Sequence, residues 1–214
     1  LGAVCLSLRV ECERIARGML IGAGSRYPRH AKLGWMLAVA TVPAVVIGLL
    51  AKGWIEGYLR ADWVIATTTL VFGLLLWWAH YQKGRKGFSS IGFRQALLLG
   101  FAQALALIPG TSRSGITLTA GLWLGLSRRI AAKFSFLMSI PIILGAGLVK
   151  TKDLLESTEP VAWDAVLLGI AVSFVAAYAC IRLFLAWITR VGLLPFVWYR
   201  LALAAVLFAV IFWP

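Results

Sequence analysis

Long apolar stretches dominate this chain and decide what it can fold into. Residues 33–51 contain no charged side chain, and about 20 apolar residues are enough to cross a bilayer as a helix. Further apolar stretches lie at residues 63–81, 134–149, 163–181 and 191–213. The sequence therefore predicts an all-α polytopic membrane protein, a helical bundle in which residues 1–214 form a single integral membrane domain.

The composition excludes a soluble domain. Hydrophobic residues make up 61% and charged residues 14% of the 214 residues, whereas soluble domains carry about 45–50% and about 25%. The net charge of +13 would suit a nucleic-acid-binding protein only if the basic residues shared one solvated face. They form short clusters between the apolar stretches instead, as in the cytoplasmic loops of membrane proteins. We therefore expect membrane lipids, and no nucleic acid, as partners.

Two apolar segments in the middle of the chain are too short to cross a membrane. As helices, residues 95–108 and 116–126 would rise about 21 Å and about 17 Å, against about 30 Å of hydrocarbon. A polar turn at residues 109–115 separates them. Irregular backbone survives at membrane depth only where protein covers it or it lines a wet cavity. We therefore expect a re-entrant, or broken, helix pair around residues 95–127.

The basic residues favour a hairpin over one kinked helix. Six of them lie in residues 9–32, four in 83–94 and three in 128–133, whereas residues 52–62 and 150–164 are balanced or acidic. Lys and Arg in short loops stay on the cytoplasmic side, so both ends of the helix pair are expected there. A hairpin returns to its own side of the membrane, whereas a continuous helix does not.

The polar turn contains the groups of a phosphate site. Arg113 lies between apolar segments, where an arginine is costly enough to indicate function; the alternative is a side chain that reaches the lipid headgroups. Glycines allow close approach of a ligand, hydroxyls donate hydrogen bonds, and the N-terminus of the following helix attracts anions. The other candidate residues are Gly110, Thr111, Ser112, Ser114, Gly115 and Gln103.

Other polar residues in the apolar stretches have simpler interpretations. Residues 67–69, all threonine, can bond back to their own helix, and His80 suits the membrane interface. Arg200 could pair with a headgroup or a carbonyl group, and Cys180 is interpreted as a small buried apolar residue. All eight acidic residues lie in loops or at span ends, so we expect no general base or Mg²⁺ ligand within the membrane.

Residues 100–117, GFAQALALIPGTSRSGIT, carry the most specific pattern in the chain. Its core, P-G-x-S-R-S-G-x-T, occupies Pro109 to Thr117 without a gap. This core resembles the second signature of the bacterial undecaprenyl pyrophosphate phosphatases, the bacitracin-resistance type. Residues 127–141 and 194–200 resemble later segments of the same family, so the resemblance covers nearly the whole chain.

The resemblance implies a multi-pass enzyme of the bacterial plasma membrane. Such an enzyme hydrolyses undecaprenyl diphosphate to undecaprenyl phosphate, which recycles the lipid carrier of peptidoglycan synthesis and gives bacitracin resistance. It also implies an inverted-repeat fold in which residues 95–127 are one of the re-entrant pairs, and it leaves a homodimer open. By the same resemblance, Arg113 binds the diphosphate and Ser112, Ser114 and Thr117 donate hydrogen bonds around it. Together with the residues of the turn, this predicts the catalytic residues Arg113 and Ser112 and the substrate-binding residues Gly110, Thr111, Ser114, Gly115, Thr117 and Gln103.

One part of the family pattern has no counterpart in the sequence. This first signature, E-G-x-x-E-x-x-P-x-S-S-x-x-H, holds the acidic residues expected to bind a divalent cation, Mg²⁺ or Ca²⁺. We therefore expect an N-terminally truncated chain that has no metal ligands of its own and does not hydrolyse the diphosphate alone. The alternative function is a lipid-phosphate flippase, because broken helices that face an anion are also transporter features.

Overall fold

The computed structural model describes residues 1–21, 28–156 and 162–212. In these ranges the chain forms ten α-helices and one 3₁₀-helix, Phe88–Ser90, with no β-strand. The α-helices are α1 (Gly2–Ser7), α2 (Arg9–Ile21), α3 (Pro28–Leu50), α4 (Lys52–Tyr58), α5 (Asp62–His80), α6 (Phe93–Leu105), α7 (Arg113–Trp123), α8 (Arg128–Glu156), α9 (Trp163–Arg190) and α10 (Leu194–Phe212). The predicted all-α class is confirmed.

Five of the described helices, α3, α5, α8, α9 and α10, have the length and hydropathy of membrane spans. They coincide with the five apolar stretches of the sequence, which confirms the polytopic prediction. Two of them are longer than predicted, at 29 residues for α8 and 28 for α9, because charged residues continue the helix beyond its apolar part. Arg26, Glu159 and Trp213, which belong to the predicted loops and the last span, lie outside the described residues.

Two segments that were expected to be loops contain helices. Helix α2 occupies much of the polar segment 9–32, and α4 lies within residues 52–62. In α2, Glu13 and Arg17 form an ion pair one turn apart on an exposed face, while Ile15 is buried beside Gly34 of α3. A short amphipathic helix of this kind carries too much charge to register as an apolar stretch.

Helices α6 and α7 form the predicted helix pair. They have 13 and 11 residues and so rise only about 16–20 Å each. The two helices pack against each other and are joined by residues 106–112. Neither is long enough to cross the membrane.

Backbone hydrogen bonds join the two ends of this helix pair. The N–H of Lys86, which precedes α6, donates to the carbonyl of Gly125, which follows α7, at 3.0 Å. The N–H of Ser127 donates to the carbonyl of Lys86, also at 3.0 Å. Because the start and the end of the segment lie side by side, the pair is a re-entrant hairpin and not one continuous helix.

The spans around the hairpin enclose its tip. Helix α6 packs along α3, and α7 packs against α5 and α8. The contact between α3 and α6 is close, because a Cβ atom at Gly100 would lie 2.6 Å from the carbonyl oxygen of Ala40. Helix α10 packs along α5, so the polar turn of the hairpin lies beside both of these spans.

Replacement of Gly84 by alanine should loosen the base of the hairpin. A Cβ atom at Gly84 would lie 2.6 Å from the carbonyl oxygen of Gly125, so the backbone must move. We expect a loss of about 1–3 kcal/mol, measured as a lower thermal unfolding midpoint in detergent. Gly87→Ala is the matched control, because no atom lies within 4 Å of a Cβ atom there. Equal midpoints for the two variants would contradict the closed hairpin.

Candidate anion-binding site at the hairpin tip

The turn between α6 and α7 passes through backbone conformations that L residues rarely adopt. Gly110 has a φ of +86° and Ser112 a φ of +63°. A Cβ atom at Gly110 would lie 2.5 Å from the carbonyl oxygen of Ile65, so only glycine lets the turn approach α5 this closely. Ser112 keeps a side chain in the left-handed region, at a cost of about 1–3 kcal/mol, and such residues cluster at functional sites.

Threonines of α5 hold the turn. The Thr68 hydroxyl lies 2.8 Å from the carbonyl oxygen of Val64 and 2.6 Å from that of Pro109. The Thr69 hydroxyl faces the carbonyl oxygen of Gly110 at 3.4 Å. The predicted bonds from these threonines to their own helix are confirmed, and the additional contacts with the turn connect α5 to the hairpin tip.

The side chain of Arg113 is half-buried and is oriented by Gln103. The Nε and Nη2 groups of Arg113 both donate to Gln103 Oε1, the first at 3.0 Å. Gln103 is only 2% exposed, and its Nε2 donates to the carbonyl of Ala40 at 3.5 Å. Gln103, which was predicted to contact the substrate, therefore lies where it positions the guanidinium of Arg113.

Arg200 reaches the same turn from α10. Its Nη2 donates to the carbonyl of Gly110 at 2.7 Å and to that of Thr69 at 3.3 Å. Of the two partners considered from the sequence, the carbonyl is therefore confirmed. Arg200 was not among the site residues predicted from the sequence, although an arginine inside an apolar stretch is a signal of function.

Helix α7 begins at the turn and presents its N-terminus there. The Ser112 hydroxyl caps this end, accepting the N–H of Gly115 at 3.4 Å. The first amides of a helix have no partner within it and carry a partial positive charge. A Cβ atom at Gly115 would lie 3.8 Å from Arg200 Nη1, so the second guanidinium lies beside this helix end. Ser112 and Ser114 are both exposed there.

Two cavities reach the turn. A cavity of about 180 Å³ is lined by Ser112, Ser114, Gly115 and Arg200 and by apolar side chains of α5, α9 and α10. A larger one, of about 520 Å³, is lined by Arg113 and Gln103 and mainly by apolar residues of α3 and α8. The polar groups of the turn are therefore open to a ligand, and the apolar walls suit a lipid chain.

Two of the predicted site residues lie behind the turn. Thr117 is 1% exposed, and its hydroxyl lies 2.6 Å from Ser135 Oγ and 2.9 Å from the carbonyl oxygen of Arg113. It therefore joins α7 to α8. Thr111 is fully buried, and its hydroxyl has no hydrogen-bond partner within the described ranges. These threonines support the turn, whereas Ser112 and Ser114 line a cavity.

His80 has a structural role that the sequence did not reveal. Its Nδ1 accepts the N–H of Leu193 at 3.3 Å, and its carbonyl accepts a hydrogen bond from Arg128 Nη2 at 2.8 Å. The residue therefore ties the end of α5 to the starts of α8 and α10.

The turn carries positive charge that carboxylates do not balance. Within the part of the chain that the structure describes, neither Arg113 nor Arg200 forms an ion pair. That part also contains no group of three or more His, Cys, Asp or Glu side chains that could hold a metal ion. Two arginines at the turn, with the Arg200 guanidinium beside a helix N-terminus, favour a ligand with more than one negative charge.

The fold and this turn define a class: an integral membrane protein with arginines, hydroxyls and a helix N-terminus at the tip of a re-entrant hairpin. The family model of the bacitracin resistance protein BacA matches residues 1–206. The chain belongs to this family.

Two curated relatives of the chain carry the name undecaprenyl-diphosphatase. The protein of Alteromonas mediterranea is 57% identical over 192 residues, which cover 89% of this chain and 72% of the relative. The protein of Chromohalobacter salexigens is 54% identical over 209 residues, which cover 97% of this chain and 79% of the relative. The similarity therefore extends over most of this chain and most of each relative.

Loss of the Gln103 amide should destabilise the turn. Gln103→Leu preserves much of the side-chain volume but leaves the half-buried Arg113 guanidinium without this acceptor. An unsatisfied buried group costs about 1–3 kcal/mol, so the thermal midpoint in detergent should fall. Gln82→Leu, in the loop after α5, is the control. A midpoint no lower for Gln103→Leu than for the control would show that this contact does not support the fold.

Proposed function

We propose that the protein hydrolyses undecaprenyl diphosphate to undecaprenyl phosphate and inorganic phosphate in the bacterial plasma membrane. Membership of the BacA family and the names of the relatives support this activity. The five apolar spans support a multi-pass membrane location. The product is the lipid carrier used again in peptidoglycan synthesis, and removal of the diphosphate form opposes bacitracin, which sequesters it.

One observation carries this proposal: Arg113 begins α7 and Arg200 donates to the turn before it, and neither pairs with a carboxylate in the described ranges. Undecaprenyl diphosphate presents a compact, multiply charged headgroup on an apolar chain. The headgroup matches the charges of Arg113, in the 520 Å³ cavity, and of Arg200, in the 180 Å³ cavity, and the apolar lining of the larger cavity matches the chain. A singly charged carboxylate ligand would leave half of this positive charge unpaired.

Different residues of the turn bind the substrate and stabilise the negative charge that develops on it. Arg113 binds the diphosphate and stabilises negative charge on the transferred phosphoryl group, because a guanidinium donates paired hydrogen bonds to phosphate oxygens. Ser112 and Ser114, both exposed at the turn, donate hydrogen bonds to the same group. Gly115 lines the same cavity as these serines and lets the backbone approach the group closely, whereas Gly110 contributes indirectly by letting the turn pack against α5.

Three further residues act through the turn. Gln103 orients the guanidinium of Arg113 through two hydrogen bonds. Thr111 and Thr117 are buried behind the turn and shape the backbone that presents the two serines. Their contribution to substrate binding is therefore indirect.

The reaction breaks the bond between the terminal phosphorus and the bridging oxygen. Water supplies the new oxygen of inorganic phosphate, and the bridging oxygen leaves with undecaprenyl phosphate. Charge is spread over the equatorial oxygens of the transferred group. Fixed positive groups lower the barrier because they need little reorganisation as this charge develops.

The family also implies a divalent cation, Mg²⁺ or Ca²⁺. Hard cations of this kind prefer oxygen ligands, especially carboxylates. The side chains that the structure places around the turn are guanidinium groups, hydroxyls and one amide, and the guanidinium charges repel a cation. These residues do not fit a divalent cation, so their part in the reaction is confined to positioning and charge stabilisation.

Replacement of Arg113 by alanine should remove most of the activity. Loss of one fixed donor to the developing charge typically lowers kcat by about 10²–10³-fold. Arg113→Lys should lose less, because it keeps the charge but not the paired donors. The measurement is phosphate release from undecaprenyl diphosphate in detergent, with circular dichroism to check folding.

The control for this substitution is Arg94→Ala, at the exposed start of α6. Unchanged phosphate release by folded Arg113→Ala protein would contradict the role of Arg113. Binding of the diphosphate without any phosphate release, by a protein that carries both family signatures, would favour the flippase alternative.

Replacement of Arg200 by glutamine removes its positive charge and its bonds to the carbonyls of Gly110 and Thr69, because the glutamine side chain is shorter. A hydrogen bond to a charged group contributes about 1.5–3 kcal/mol, so we expect KM to rise at least about tenfold together with a lower thermal midpoint. A purely structural role would lower the midpoint and leave KM unchanged.

A further inference from the structure

A second cluster of basic residues lies away from the hairpin tip, where α1, α8 and α9 meet. A cavity of about 500 Å³ opens between these helices. Its basic residues are Arg129, Lys133, Arg182 and Arg190. The proposed hydrolysis uses none of them.

The spacing of these residues places them on shared helix faces. Arg129 and Lys133 are one turn apart on α8, so their side chains are neighbours. Arg182 and Arg190 are about two turns apart on α9, and Leu185 lies on the same face between them. Two helices therefore turn their basic faces toward one cavity.

Most of this charge is not neutralised by the protein. Lys133 forms an ion pair with Glu11, and each of these side chains is 18% exposed. Within the described ranges, no carboxylate pairs with Arg129, Arg182 or Arg190. Three exposed guanidinium groups around one cavity are therefore available to an anion from outside the described chain.

A buried hydroxyl in the cavity points to the same kind of ligand. Ser7 lines this cavity, and its Oγ is buried without a hydrogen-bond partner among the residues that the structure describes. A buried hydroxyl without a partner is unfavourable. An acceptor oxygen inside the cavity would satisfy it.

The side chains around the cavity are of the kinds that concentrate at the level of lipid headgroups. Trp187, on α9 between Arg182 and Arg190, is 52% exposed, and tryptophan concentrates at membrane interfaces. Lys and Arg concentrate on the cytoplasmic side of membrane proteins. This rule assigns the basic end of α9 and the basic start of α8 to that side. Leu8 and Leu185 give the cavity apolar wall as well, so its lining matches both parts of a phospholipid.

We propose that this cavity binds the phosphodiester headgroup of an anionic phospholipid of the cytoplasmic leaflet. Basic pockets between membrane helices on this side are suited to such headgroups. The three arginines without carboxylate partners neutralise the phosphodiesters, and Ser7 donates a hydrogen bond to one phosphate oxygen. A headgroup with two phosphodiesters uses more of the available charge than a headgroup with one.

Native mass spectrometry of the purified protein in detergent tests this site. The probes are cardiolipin, phosphatidylglycerol, phosphatidylethanolamine and inorganic phosphate. We expect cardiolipin to bind more tightly than phosphatidylglycerol, phosphatidylethanolamine to bind weakly, and inorganic phosphate at equal concentration to displace neither anionic lipid. Equal binding of phosphatidylethanolamine, or displacement by inorganic phosphate, would overturn the proposal.

Paired charge removals localise the binding. The double variant Arg129→Gln and Arg190→Gln should weaken cardiolipin binding about 30-fold, since each basic residue near the membrane surface contributes about a fivefold factor. Arg85→Gln with Arg94→Gln removes the same charge from exposed residues near the start of α6 and should change binding less than about threefold. Equal losses in the two variants would show diffuse attraction and refute the site. If the first variant does not fold, Arg182→Gln alone, at an exposed position, should lower binding about fivefold, and no loss there would equally refute it.

Discussion

A guanidinium group in half-buried apolar surroundings needs acceptors for its N–H groups, and this requirement shapes the hairpin tip. Arg113 finds its acceptor in the amide oxygen of Gln103, and Arg200 finds its acceptors in two backbone carbonyls. These acceptors are neutral. They orient the guanidinium groups and fix α5, α6 and α10 around the turn. Arg200 Nε stays buried without a hydrogen-bond partner in the described ranges, and both positive charges remain for a ligand. A carboxylate in either place would have removed the reason for an anion to bind.

The membrane fold could be predicted from the sequence because hydropathy and segment length are local properties. Residues 33–51 have the length of a span, and residues 95–108 have about two thirds of it, so the two cases separate without tertiary information. The distribution of Lys and Arg placed both ends of the helix pair on the same side of the membrane and so predicted a hairpin. Helix ends were less predictable: α8 continues to Glu156 through charged residues, and α2 forms on an amphipathic pattern that hydropathy alone does not register.

The site was predictable only in part. Arg113 was found because charge within an apolar segment is a local signal. Arg200 bonds to Gly110 across 90 residues of sequence, and nothing local predicts that contact. The rotation of α7 about its axis decided the place of Thr117, which packs against α8 instead of lining a cavity. Cys180 was predicted to be buried but is exposed, because an apolar stretch does not show which face of a membrane helix packs against protein.

The backbone of Ser112 has a consequence for any attempt to engineer this protein. Its φ of +63° is one that glycine adopts freely, so the serine is retained at the expense of about 1–3 kcal/mol. Directed evolution for heat tolerance alone would favour glycine at this position and would thereby discard the exposed hydroxyl. A thermostabilised variant of the protein should therefore be screened for catalytic turnover as well as for thermal stability.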